Sequence, residues 1–251
     1  MSLDSSSFYQ HAAIRRLFEQ ELTALTPILA GVYGTAGLFL RAHAAAPAGL
    51  PAHLLGTVLD VALDDAQALR GGLACAPDEL PLASESCKLV VVQHLFERLD
   101  DPQACAGEIA RVLAPEGVLL VLGFNPANLW RPWLAGAARR AHLPLRLASA
   151  QRSATVIGGQ GIDILQTRYL GALSPWSVSE TAPAGDAAGA AYTALGPFRG
   201  SWLLLARKRR SALTPLRLRR DARELARSPR LAPGAHRERA LALASIEEKC
   251  A

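Results

Sequence analysis

The chain has 251 residues, of which 50% are hydrophobic and 20% are charged, and its formal net charge is +5. This composition excludes a wholly disordered protein, because the chain carries enough apolar side chains to bury a core. With 20 Gly and 16 Pro residues, the sequence is close to average usage. Collagen-like and low-complexity proteins are therefore excluded as well.

The positive charge is concentrated near the end of the sequence. Residues 207–239 contain 12 Arg or Lys and three acidic residues, a net charge of +9, and all other residues together carry −4. We therefore expect an α/β domain over residues 1–207 and an Arg-rich tail over residues 208–251. Such a tail could contact RNA phosphates, dock on an acidic protein partner, or simply be solvated.

The first twenty residues lack the apolar segment of a secretory signal, which favours a cytoplasmic protein. The uncharged stretch from Leu22 to Leu40 contains Pro27 and three glycines. That composition favours a helix end, a turn and a strand over a membrane span. The four cysteines show neither metal-ligand nor disulfide spacing, so no metal site is expected.

In chain order, the first predicted element is a helix over residues 8–25 that stops near Pro27, because apolar residues recur there at helical spacing. An Ala/Pro-rich loop is predicted between the first two strands. The fourth predicted strand is continuously apolar, which is typical of a strand buried on both faces of a parallel sheet. The predicted strands are Gly37–Arg41, Leu54–Val61, a weak one at Gly72–Cys75, and Leu89–Val92.

The clearest unit follows directly. Asp101 can cap a helix that has Pro102 in its first turn, and the Pro-Glu-Gly sequence at 115–117 is expected to end that helix. Val118–Phe124 is then a second buried strand, closed by a turn at 125–126. A strand, a crossover helix and a strand form a unit in which the strands are parallel.

The remaining elements are a helix around 127–141 and strands near 162–170 and 201–206, with an Ala/Gly/Pro-rich insert at 181–191. The sequence therefore predicts an α/β protein with a doubly wound, mostly parallel sheet flanked by helices, followed by a basic C-terminal tail.

Two stretches resemble a known family: residues 80–102, LPLASESCKLVVVQHLFERLDDP, and residues 108–119, EIARVLAPEGVL. They are similar to the type-11 group of class I S-adenosylmethionine (SAM)-dependent methyltransferases, which carry LPF…SFDLVV, then HxxEH, then ExxRVLxPGG. GFNP at 123–126, with LW at 129–130, and the basic segment 208–217 resemble a bacterial subgroup. The resemblance implies a Rossmann-like sheet with SAM across the carboxyl ends of its strands and a small-molecule methyl acceptor.

The resemblance also implies which residues contact the cofactor. Asp60, nineteen residues after Arg41, stands near the position of the acid that binds the ribose hydroxyls, with Asp64 as an alternate. An acid at a strand end can equally be a turn former. The full set implied for the cofactor is Leu40, Arg41, Asp60, Asp78, Leu80 and Gln93.

Three positions depart from the family pattern. Arg41 and the alanines after it stand where the family has a glycine-rich turn, which lets backbone amides approach the cofactor. Ala76 stands where an acid near the adenine is expected, so Asp78 is the substitute. Lys88 replaces an acid that opens the central strand, and we expect its charge to lie at the mouth of a site for a cation. Glycines 31, 34 and 37 precede the strand and are expected to form a flexible connection.

His94 and Glu97 are the implied catalytic pair, because a carboxylate three residues away could orient the imidazole as a general base. The alternative is a pair that only packs at the start of a helix. The tryptophans at 130, 133 and 176 could line a substrate pocket, but packing in the core or in a lid is the default.

Three hypotheses remain at this stage. The chain is an active SAM-dependent methyltransferase, a degenerate member that serves as a binding or partner subunit, or an RNA-associated protein that uses its tail.

Overall fold

Seven strands form one sheet in the computed structural model, which describes residues 5–177 and 196–209. Their order across the sheet is β3-β2-β1-β4-β5-β7-β6. The strands are β1 Tyr33–Arg41, β2 Leu54–Leu63, β3 Leu69–Gly71, β4 Cys87–Gln93, β5 Leu113–Phe124, β6 Ile162–Leu170 and β7 Ser201–Lys208. The helices are α1 Ser6–Gln10, α2 Ala12–Leu29, α3 Pro102–Val112, α4 Trp130–Arg140 and α5 Ala150–Gly158, with a short 3-10 turn at Gly196–Phe198.

The sheet is mostly parallel and covered on both faces. Strands β2, β1, β4 and β5 pair in parallel, while β3 and β7 are antiparallel to their neighbours. Alternate residues of each central strand face opposite layers, so Leu89 and Val91 pack with α2, whereas Val90 and Val92 pack with α3 and α5. The predicted doubly wound, mostly parallel α/β architecture is therefore confirmed.

Most predicted elements are present, but several boundaries move. Helix α2 continues through Pro27 to Leu29. A proline in the last turn removes one backbone donor, and the Ala30 amide still donates to Thr26 at 3.0 Å. Gly34 and Gly37 lie inside β1 instead of preceding it. A Cβ on Gly34 would lie 2.7 Å from Lys88 Cβ, so the glycine permits close strand packing.

Two further expectations were wrong in detail, and one helix was missed. The third strand is Leu69–Gly71, and Gly72–Cys75 is the turn after it, linked back by one bridge between Leu69 and Cys75. The Pro-Glu-Gly sequence at 115–117 lies within β5, because the strand begins at Leu113, directly after α3. The register between β4 and β5 shifts between Cys87 and Leu89. Helix α5 was not predicted, although Ser149 accepts from the Arg152 amide as its N-cap.

The connection between β1 and β2 contains no helix. Residues 42–53 form the loop that the alanine- and proline-rich sequence predicts. The predicted insert at 181–191 and nearly all of the predicted tail lie outside the described residues. Within 5–177 and 196–209, no helix combines the length and the apolar character needed to cross a bilayer.

Candidate functional site

The carboxyl ends of β1, β2, β4 and β5 meet at one edge of the sheet, which is where open α/β sheets bind their ligands. Here this edge is capped by a cluster of buried side chains from α1, α2, α4 and the loop after β1. Its large aromatic members are Phe8, Tyr9, Phe18, Phe124 and Trp130. We call this group the aromatic cap.

Arg41, the last residue of β1, occupies the position at which the family pattern has a glycine turn. Its side chain is buried, and Nε donates to Asp60 Oδ1 at 2.6 Å. Nη1 donates to the carbonyl oxygens of Ala46 at 2.8 Å and Ala44 at 3.3 Å. The guanidinium therefore binds the loop after β1 to the acid of β2.

Asp60, the residue implied for the ribose hydroxyls, is engaged on both oxygens. Oδ1 accepts from Arg41, and Oδ2 accepts from the Gly49 amide at 2.9 Å. It lies within β2 and not at the strand's end. The alternate acid, Asp64, accepts from the Ala68 amide at 2.8 Å, and this backbone bond is the main cause that lowers its pKa. Asp64 is therefore a turn residue.

His94 and Glu97 do come together, joined by a third residue that the sequence analysis did not select. His94 Nδ1 lies 3.0 Å from Glu97 Oε2, and Nε2 lies 2.9 Å from Oε1 of Glu21 on α2. The other Glu97 oxygen accepts from the Phe124 amide at 2.6 Å. All three side chains are at most 2% exposed. Glu21 could have been noticed in the sequence, because it is a charged residue at an apolar position of the helical pattern of α2.

The geometry assigns a charge to this cluster. Burial by itself lowers the pKa of His94, but the two carboxylates outweigh burial and raise that pKa to about 9. Burial raises the pKa of Glu97, opposed by its bond to His94. A carboxylate within hydrogen-bonding distance of each ring nitrogen favours the imidazolium form of His94. A protonated imidazole has no lone pair with which to act as a general base.

The cluster is also enclosed. The His94 ring stacks on Phe18 with centroids 4.6 Å apart, and the Phe124 ring lies 3.9 Å away on centroids. His94 has a φ of 54°, in a turn that precedes α3, so the pair does not lie at a helix start as the packing alternative supposed. A left-handed conformation at a non-glycine residue costs roughly 1–2 kcal/mol, and here the surrounding contacts hold it.

Gln93 and Leu40, two of the implied cofactor residues, are fully buried. Gln93 Nε2 donates to Glu21 at 3.1 Å, and its Oε1 has no partner within the described residues. Leu40 belongs to the core on the α3 side of the sheet. Both side chains pack inside the fold, and their role toward a cofactor stays a prediction.

Asp78 is exposed, and Leu80 is buried two residues later. The loop at Leu80 is held by the ExxR part of the family pattern. Glu108 accepts from the Leu80 amide at 3.0 Å, and Arg111 donates to the carbonyls of Leu80 and Leu82 at 2.8 Å each. The best-matched part of the sequence therefore has a structural role.

The expected position of Lys88 was wrong, and the tryptophans differ in burial. Lys88 opens β4 at the opposite edge of the sheet, where Nζ donates to the Glu116 carbonyl at 3.1 Å, so its charge is remote from the candidate site. Trp176 is 73% exposed, whereas Trp130 belongs to the buried cap and donates to the Ala172 carbonyl. Trp133 is half-buried beside the cap and packs edge-on against Trp130.

Comparison with known proteins agrees with this fold. The pattern of the methyltransferase domain family matches residues 53–121. A Thermotoga maritima SAM-dependent methyltransferase, described as a possible histamine N-methyltransferase, is 15% identical with a TM-score of 0.52 over 78% of this chain and 92% of that one. The chain has the class I SAM-dependent methyltransferase fold. The resemblance predicted from residues 80–119 is thus confirmed.

A second solved structure has the same fold. It is a chain from the Haloferax volcanii complex between the Trm112 methyltransferase activator and a candidate methyltransferase, with 15% identity and a TM-score of 0.51 over 82% of this chain and 97% of that one. No curated protein matches the sequence.

At the carboxyl edge, several of the side chains that the resemblance implies for SAM already bond to other parts of this chain. Arg41 fills the glycine position, Asp60 already accepts on both oxygens, and the His94 cluster is closed by aromatic rings. Three of the chain's own cations, Arg41, His94 and Arg98, are paired with acids at an edge where the family binds a sulfonium cation.

Proposed function

We propose that this methyltransferase-fold chain works as a binding or partner subunit and does not itself use SAM as a methyl donor. The observation that carries the proposal is the Arg41 side chain, which is bonded to Asp60 and to the carbonyls of the following loop. A ribose bound by Asp60 would have to displace a buried guanidinium and the Gly49 amide together.

The pattern of kept and lost residues supports the same reading. Glu108 and Arg111, which tie a loop to α3, match the family pattern and retain their structural contacts. The positions at which the family contacts its donor hold Arg41 and Ala76 instead. A chain selected for its fold, and not for donor chemistry, would keep the first set and lose the second.

The second candidate is an active SAM-dependent methyltransferase that acts on a small molecule, and the family match over residues 53–121 favours it. In that case His94 and Glu97 would be the catalytic pair. Their enclosure speaks against the role, because an acceptor could reach His94 only after α2 moved away from the strand ends.

A protein partner is consistent with the fold, since the Haloferax volcanii neighbour occurs in a complex with a methyltransferase activator. The segment 207–239 supplies a net charge of +9 that suits an acidic protein surface. RNA binding through the same segment remains the third hypothesis, and both uses concern residues almost entirely outside the described ranges.

Thermal unfolding in the presence of S-adenosylhomocysteine (SAH) tests the proposal on the full chain. A ligand at one hundred times its Kd stabilises a protein by about 2.7 kcal/mol, which is roughly 5–10 °C for a domain of this size. We expect no shift in wild type and none in Asp60→Ala. A shift in wild type that Asp60→Ala abolishes would overturn the proposal in favour of the active enzyme.

A further inference from the structure

A groove lies between α4 and the segment that follows it. Its cavity volume is about 220 Å3, and its lining consists of Ala135, Ala138, Arg139, Leu143, Leu145 and Leu147. We call it the α4 groove. The lining is apolar except for one exposed cation, so the groove can receive an apolar group while presenting a positive charge at its rim.

The charge around the α4 groove differs from that of the rest of the domain. Residues 117–162 contain five Arg and no Asp or Glu, although the chain outside 207–239 has a net charge of −4. Arg146 pairs with Asp100 at 2.7 Å, whereas Arg139 has no ion-pair partner among the residues that the structure describes. The cation of the groove is therefore available to an external anion.

A groove of similar size at the opposite edge of the sheet provides a contrast. It has a volume of about 230 Å3 and includes Tyr33, Lys88, Glu116 and Arg207 in its lining. There, Lys88 donates to the Glu116 carbonyl, and Arg207 Nη1 lies 3.7 Å from a Glu116 carboxylate oxygen. Both cations already have an oxygen partner on Glu116, a backbone carbonyl for Lys88 and a carboxylate for Arg207, which makes this groove an internal control.

We propose that the α4 groove binds a small anionic amphiphile, with its acidic head group on Arg139 and its apolar tail against Leu143, Leu145 and Leu147. A guanidinium presents a planar fork of donors that matches a carboxylate or phosphate head group. Leucine side chains favour an alkyl tail because its burial removes apolar surface from water. This site does not depend on whether the chain binds SAM.

Calorimetric titration of decanoate into the full chain tests the proposal, with decyl phosphate as the second anionic probe. We expect saturable binding of both anions, with affinity rising about fourfold for each methylene group from hexanoate upward until the groove is filled. Decanol should bind more weakly, and decyltrimethylammonium should not bind. Equal affinity for the neutral and anionic probes would overturn the role of Arg139.

Matched variants locate the binding. Arg139→Ala should weaken decanoate about fivefold, as expected for a partly exposed charge pair, and Leu145→Ser should weaken it further. Arg207→Ala removes the same residue type from the control groove and should leave the affinity unchanged. Affinity that survives both groove variants would place the binding elsewhere, such as on the basic tail, and would refute the proposal. The SAH experiment can fail or succeed independently of this result.

Discussion

Replacing Arg41 with Ala removes the contact on which the proposed function rests. Breaking one partner of a fully buried ion pair costs about 3–5 kcal/mol. The Asp60 side chain is 26% exposed, so water compensates part of that loss. We therefore expect the free energy of unfolding to fall by about 2–3 kcal/mol, which lowers Tm by roughly 5–10 °C.

The assay is thermal unfolding of wild type, Arg41→Ala and a control, Arg15→Ala. Arg15 is 60% exposed and lies 3.9 Å from Glu19, so its loss should shift Tm by less than about 2 °C. Low concentrations of guanidinium should partly restore the Tm of Arg41→Ala and leave the control unchanged, because the ion can occupy the vacated position. If Arg41→Ala and Arg15→Ala have the same Tm, the Arg41 side chain does not bind the loop after β1 to Asp60.

Three further outcomes follow from the contacts. The pKa of His94 is raised to about 9 in the folded state. The stabilisation that the charged imidazole contributes is therefore fully present below pH 6.5, and the free energy of unfolding should fall on the order of 3 kcal/mol as the pH rises to 9. Denaturant titrations across this range should show a flatter profile in His94→Gln. Arg111→Met frees the Leu80 carbonyl, so amide exchange in residues 80–84 should accelerate, while that of the central strands should not. Gly123→Ala places a Cβ against the Trp202 ring and should cost about 1–3 kcal/mol in urea unfolding; an unchanged midpoint would contradict this packing.

The fold could be predicted from the sequence because its signals are local and redundant. Val90 and its neighbours form an unbroken apolar run, and Asp101 caps α3 through bonds from the amides of Gln103 and Ala104. Such patterns report burial and helix starts directly. Boundaries such as Pro27 were less certain, because a single missing backbone donor near a helix end is tolerated.

The candidate site was only partly predictable, because its partners are far apart in sequence. His94 and Glu97 were selected from their spacing, but Glu21 lies 73 residues from His94 and decides the charge of the imidazole. Arg41 was recognised only as a departure from the glycine pattern. Its role became visible when the fold placed the guanidinium next to Asp60 and under the following loop.

The position of Lys88 illustrates a different error. A substitution in a family pattern says which residue type changed, but not at which edge of the sheet it lies. Strand β4 runs from Cys87 to Gln93, so Lys88 is about 16 Å from the carboxyl edge at 3.3 Å per residue. The charge inversion therefore bears on the amino edge and leaves the candidate site unaffected.

The most direct test of the account is a calorimetric titration of SAM and SAH into the full-length protein, up to about 1 mM, the upper end of common enzyme KM values. The closed carboxyl edge, with Arg41 on Asp60 and His94 between two carboxylates, predicts no saturable heat for either compound. Micromolar binding of SAH that is lost in Asp60→Ala would contradict that prediction and show that the carboxyl edge holds a cofactor site.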